Sequence, residues 1–421
     1  MARRRIGLRP RARLVVAIGA LAPATMLGIG IGGAFSAGAR PRSHVPEPPL
    51  LLGRPSWSPT RDELQLNARI DERELCGTPD GVRRFAAVIV DSDGANLRRL
   101  PHGAGGLWSP DGNLLATDYY TLPPPYTRLT RDLGIVTRAG REIHTEEYAE
   151  ASSWAADSKR LAINLYDPTD SPDVAAILDL RNGDVRKIAG YPSGYAVWAP
   201  RGDLIAYGEP NGYLYVEHGD GRGRRRVMRE PSAFAWSGDG GLIAAQNELR
   251  RRWGPVFVVD PRGRNRRRMT AGDAVWSWSP HGRVLALDRD LIDLARRSRR
   301  RVLPRSLKPV VLDPGLVLNG APGGIWSPDG RRIGYATRTG IYVVDADGSR
   351  GHLIKWPVRP ISEPSWSPHG TTLAFATRVG VYLVRFDGRG GHYLPAIPWC
   401  DLAKAELPSP RRSGSSRSRG R

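Results

Sequence analysis

From Gly323 to Leu353 the chain reads G-G-I-W-S-P-D-G-R-R-I-G-Y-A-T-R-T-G-I-Y-V-V-D-A-D-G-S-R-G-H-L, and its periodicity is that of β-structure. Ile325-Trp326 ends one strand, Pro328-Asp329-Gly330 turns the chain, and Ile333 to Ala336 alternates as a second strand. Gly340 breaks the run, Ile341 to Val344 is an apolar, β-branched third strand, and Asp345-Ala346-Asp347-Gly348 is a hairpin turn into a short fourth strand near His352 to Ile354. Four strands in about forty residues cannot bury both of their faces alone, so such a unit needs neighbours of its own kind.

The chain supplies them. The Trp-bearing turn stands as W-S-P-T at Trp57, W-S-P-D-G at Trp108, W-A-A-D-S at Trp154, W-A-P-R-G at Trp198, W-S-G-D-G at Trp236, W-S-P-H-G at Trp278, W-S-P-D-G at Trp326 and W-S-P-H-G at Trp366. A second strand follows most copies, as at Leu114 to Ala116, Leu161 to Ile163, Leu204 to Ala206, Leu242 to Ala244, Val284 to Ala286 and Leu373 to Phe375. A third strand then ends in an Asp/Gly turn, as in Ala87 to Asp93, Val256 to Asp260 and Val381 to Asp387. The mean spacing, about 44 residues from Trp57 to Trp366, is that of a four-stranded propeller blade. The expected fold is an all-β single propeller of eight blades, with seven as the alternative because Asp288 to Leu318 fits the unit loosely.

These units resemble the W-S-P-D-G (PD40, WD40-like) repeats of TolB-like β-propellers over roughly residues 50 to 397. The resemblance implies a propeller and, by itself, little about activity. The separate N-terminal α/β domain of TolB itself has no room between Arg40 and Trp57, so only the propeller carries over. A Trp at a fixed place in each blade is expected to fill the seam between neighbours. The D-x-D-G turns at Asp91 and Asp345 read as hairpins, because they lack the remaining ligands and closing Glu of a calcium loop.

Ahead of the repeats, residues 1–13 carry six Arg and no acid, and Leu14 to Ala39 is uncharged and ends in Ala37-Gly38-Ala39. That is the pattern of a signal peptide over residues 1–39, with an uncleaved N-terminal membrane anchor as the alternative. Either places the propeller outside the cytoplasm, whether secreted, periplasmic or on the cell surface. Residues 40–54 read as a Pro-rich linker, 55–400 as the propeller and 401–421 as a basic disordered tail. The two cysteines, Cys76 in an insertion of the first blade and Cys400 after the last strand, are expected to pair, as an oxidising compartment permits. That bridge would tie a first blade built from the N-terminal side to a last blade built from the C-terminal side.

Net charge is +21, and +15 without residues 1–39. The basic residues cluster: Arg224, Arg225 and Arg226, then Arg266, Arg267 and Arg268, then Arg299, Arg300 and Arg301 recur near the turn from strand three to strand four of three consecutive blades. Such a patch suits an anionic envelope polymer or lipid headgroups; an exported protein seldom meets nucleic acid, so that partner is not expected. Insertions between strands two and three, with Tyr119, Tyr120, Tyr126 and Tyr166, are candidate partner-binding loops on the opposite face.

No G-x-S-x-G elbow, H-x-x-x-H pair, Cys/His cluster or phosphate loop occurs, so no catalytic residue, metal ligand or cofactor is assigned. The expected role is that of a monomeric, non-catalytic, exported propeller binding a protein or polymer in the cell envelope. The alternative is a hydrolase or lyase acting on sugars or lactones, with a metal ligated by single residues around the central channel.

Overall fold

The structure is a computed structural model that describes residues 50–404, apart from 72–82, 102–103, 122–129, 167–173, 191–195, 230, 232, 250–251, 273, 275 and 311–323. It contains eight four-stranded antiparallel sheets, over residues 50–99, 104–146, 149–190, 197–229, 233–268, 276–301, 325–355 and 365–393, here called blades 1 to 8. In each the strands lie side by side in chain order. First strands of neighbouring blades touch one another from blade 7 through blades 8 and 1 to blade 4, which puts the fourth strands of the sheets at the periphery. The loosely fitting stretch supplies strands three and four of a complete blade 6, drawn tight by the turn at Asp288 and Arg289.

The core is not central. It is divided among the seams between blades, each filled by an apolar cluster drawn from both sides, such as Ala87, Ile89 and Leu100 of blade 1 with Trp108, Leu115 and Val136 of blade 2. This follows from the repeat, because a strand with apolar residues on both faces needs a neighbour on each side.

Each Trp of the repeat sits in such a seam, and its indole ring does more than fill it. Trp57, Trp108, Trp154, Trp236, Trp278 and Trp366 each donate the indole N–H to a carbonyl of the preceding blade. The acceptor is always the residue just before that blade's own Trp: Ser365, Ser56, Leu107, Val197, Ala235 and Ile325 respectively, at 2.8–3.3 Å. Trp198 and Trp326 lack this bond. At Trp198 the Arg160 guanidinium lies 4.8 Å from the ring centroid instead.

The turn after each Trp is held by its own side chains. Ser109, Ser237 and Ser327 each donate a hydroxyl to the turn aspartate, Asp111, Asp239 and Asp329, at 2.6 Å. Burial works against ionising these aspartates, but the Ser hydroxyls and backbone N–H groups together hold their pKa values below the usual carboxylate range. In blades 6 and 8 the motif has His281 and His369 at this place.

Blades 1 and 8 share no strand, yet the ring is closed. Ser365 Oγ donates to Pro55 O at 2.6 Å, the Trp57 bond reaches Ser365 O, and Leu64, Leu66 and Val88 pack with Ala374, Val381 and Leu383. A helix at Trp399–Lys404, across the boundary read between propeller and tail, adds a further clasp. Its Trp399 is buried in the blade 1 seam, with Ile397 and Leu402 against it. Strand one of blade 1 likewise begins earlier than expected, at Leu50, where the apolar Leu50 to Leu52 run pairs with Asn67 to Arg69.

Candidate functional site: the arginine rim

Each fourth strand of blades 4, 5 and 6 is an edge strand, and each is built of arginine. Arg225–Arg229 pairs in antiparallel register with Tyr213 to Val216, Arg267–Arg268 with Phe257 and Val258, and Ser298–Arg301 with Asp290 to Asp293. The clusters therefore run from the turn onto the outermost strand. Arg224, Arg225, Arg226, Arg266, Arg267, Arg268, Arg299, Arg300 and Arg301 are all exposed.

What each arginine touches differs. Arg226 lies over Tyr213 at 4.6 Å and Arg266 over Phe257 at 4.1 Å, so aromatic faces support the stems and leave the charge at the surface. Arg268 donates to Thr270 O at 2.8 Å. Among the described residues none of Arg225, Arg226, Arg266, Arg267 and Arg268 has a carboxylate partner. Arg299 and Arg301 instead flank buried Asp290, with Arg299 Nε 2.7 Å and Arg301 Nε 3.3 Å from its oxygens, and Arg300 reaches Asp347 O of blade 7.

Arg224 ends a network that sequence reading missed. Tyr207 donates to Glu217 at 2.7 Å, Arg224 donates to Tyr207 Oη at 3.2 Å and pairs with Glu209, and Arg186 of blade 3 donates to Glu217 at 3.3 Å. Burial, then the bond to Glu217, raises the Tyr207 pKa, so this hydroxyl stays protonated. The network joins blades 3 and 4, and its members are too far apart in sequence for a motif to mark them.

The rim is continuous across a seam because the turn of one blade rests on the outer strand of the last. Gly263 has φ +75°, and a Cβ there would lie 3.0 Å from Arg226 O and 3.1 Å from Val227 O.

The opposite face bears the connections between strands two and three. Tyr119 and Tyr120 lie on the strand Leu114–Thr121, in register with Asp132 and Arg131. Tyr119 to Thr121 of what reads as an insertion there thus lengthen the hairpin strand, and residues 122–129 lie outside the described residues. Tyr126 lies outside the described residues. Tyr166 is half-buried and hydrogen-bonds Glu150, so its hydroxyl is already engaged. Cys400 lies on the C-terminal helix beside blade 1 and is not a free thiol; Cys76 lies outside the described residues. Among the described residues no group of three or more His, Cys, Asp or Glu is placed to hold a metal ion, and no helix is long and apolar enough to cross a membrane.

Eight blades, each opened by a Trp in the seam and six of these bonding back to the blade before, settle the fold. It is an eight-bladed β-propeller. No family model and no curated protein matches the chain. Among solved structures, TolB from Acinetobacter baumannii is 16% identical with a TM-score of 0.36, and the match covers 78% of this chain and 79% of that one. The β-propeller domain of the Trilobed protease from Pyrococcus furiosus, described as having an open velcro topology, is 12% identical with a TM-score of 0.49, covering 85% and 98%. An oligogalacturonate lyase in complex with manganese is 14% identical with a TM-score of 0.44, covering 78% and 86%. At these identities and TM-scores the likeness says nothing of what the chain binds, and any such account rests on its own residues.

Proposed function

We propose that the chain is an exported, non-catalytic TolB-like propeller that holds an anionic polymer or protein of the cell envelope on the outer rim of blades 4 to 6. The observation that carries this reading is the exposed arginine on three consecutive edge strands, five of them without a carboxylate partner among the described residues. Unpaired guanidinium groups gathered on one surface attract a polyanion by summed field and counterion release. One basic residue on an edge strand suffices to discourage strand pairing; the clusters exceed that need.

Export is supported by the basic, apolar and A-G-A pattern of residues 1–39. A Cys76–Cys400 disulfide belongs to the same reading: Cys400 sits against blade 1, whose connection between strands two and three contains Cys76. The loop-entropy argument gives such a bridge about 5 kcal/mol.

The test is co-sedimentation of purified protein with an isolated envelope fraction, comparing the native chain with one in which Arg225, Arg226, Arg266, Arg267 and Arg268 are all Gln. The native chain is expected to sediment at low salt and the variant to stay in solution, both with the same circular dichroism. Equal sedimentation would remove the rim from the account. Metal analysis of the same sample checks the non-catalytic half, because a stoichiometric divalent ion would favour a metal-dependent lyase or hydrolase.

A further inference from the structure

At the outer end of blade 6 the structure has a cleft of about 430 Å³, large enough for one charged group of a polymer. We propose that this cleft seats a phosphate or carboxylate group of an extended anionic polymer, fixing the register of a chain that otherwise lies along the rim by charge alone. The inference rests on the rim reading above and deepens it.

Four cations, Arg289, Arg299, Arg301 and Lys308, line the cleft against two carboxylates, Asp288 and Asp290. Asp290 is buried and saturated by Arg299 and Arg301, so it orients those guanidinium groups while their outer N–H groups remain exposed. Arg299 and Arg301 are two residues apart on one strand and share a face of the sheet. Arg289 is fixed from two sides: its side chain donates to Pro304 O at 2.5 Å, and its carbonyl accepts from Val302 N at 2.9 Å. The wall carrying Lys308 is tied to blade 7, where Val310 N donates to Ala336 O at 2.9 Å. Lys308 is exposed and has no partner among the described residues.

The cleft is thus preorganised, with its cations placed before any ligand arrives. A polymer fits better than a membrane surface, because the fourth strands form the convex outside of a ring. A flexible chain can follow that curve over three blades, whereas a flat bilayer meets it at one.

The experiment titrates the full chain with long-chain inorganic polyphosphate at several salt concentrations. Lys308→Gln breaks no contact in the structure and is expected to weaken binding about three- to tenfold, with the salt slope falling by about 0.7. Lys355→Gln, on the outer strand of blade 7, is expected to change neither. Inorganic phosphate alone should compete with polyphosphate for the native chain and less for Lys308→Gln. If Lys308→Gln binds as the native chain does while the five-arginine variant is weakened, the cleft is wrong and the rim stands; if neither variant is weakened, both fail. Binding to phosphatidylglycerol vesicles that is tighter than to polyphosphate, at equal anion concentration, would overturn the polymer in favour of a membrane surface.

Discussion

At the scale of single residues, the repeat tryptophans carry two separable contributions, burial and an indole hydrogen bond to the blade before. Trp366 is buried and bonds Ile325 O at 2.8 Å, so Trp366→Ala is expected to cost about 3–5 kcal/mol in urea unfolding. Trp366→Phe and Trp326→Phe separate the two terms. Both lose ring area, but only the first loses a bond, so it should cost about 1 kcal/mol more than the second. Equal losses would mean that the seam bond does not contribute. Gly263→Ala should also destabilise, because a Cβ there meets the backbone carbonyls of Arg226 and Val227 and the φ of +75° strains any side chain. The rim is expected to loosen with it, read as lower polyanion affinity.

The turn aspartates set the response to acid. Asp111, Asp239 and Asp329 have pKa values lowered in the folded chain, so their contribution to stability is present above the unfolded value, near 4, and is lost as pH falls through the folded one. The melting temperature should therefore hold down to about pH 5 and drop below about pH 4. Asp329→Asn should shallow that drop, because the group it removes no longer takes up a proton.

At the scale of elements, the blades were legible because everything that makes them is local. A period of two, a turn of Pro, Asp and Gly, and a Trp at fixed spacing all lie within one unit. Blade 6 was the doubtful one because its strands two and three meet at Asp288 and Arg289, with no longer hairpin to mark them. The arginine clusters were found, but their division of labour depends on register. Only pairing Asp290 with Arg301 shows why Arg299 and Arg301 are held while Arg267 is not. The cleft was invisible for the same reason, since Lys308 lies outside any repeat. The terminal helix had a faint signal, apolar Ile397, Trp399 and Leu402 around Pro398, where the reading passes from propeller to tail. Trp399→Ala is expected to destabilise by about 3 kcal/mol and to expose the blade 1 edge to proteolysis. If protease sensitivity is unchanged, the helix is not part of the closure.

At the scale of the whole molecule, a ring without a shared strand must be closed by something else. Here that is the Trp57 and Ser365 bonds, the apolar seam between blades 8 and 1, and the Trp399 clasp. A disulfide from Cys400 would add a covalent lock at the same place. Reduction, or Cys400→Ser, should then lower stability by about 2–5 kcal/mol, with no thiol titratable in the unreduced, unfolded protein. Two thiols titrating without reductant would refute the bridge.

Closure matters because it holds blades 4, 5 and 6 as one rigid arc, and the rim acts as a surface only if its arginines stay in register. The salt dependence of polyphosphate binding to the native chain and to the five-arginine variant therefore tests the account most directly. If the rim is the binding surface, the native slope is steep, and the variant's slope is smaller by about 3.5, or about 0.7 for each charge removed. Equal slopes for the two proteins would contradict it.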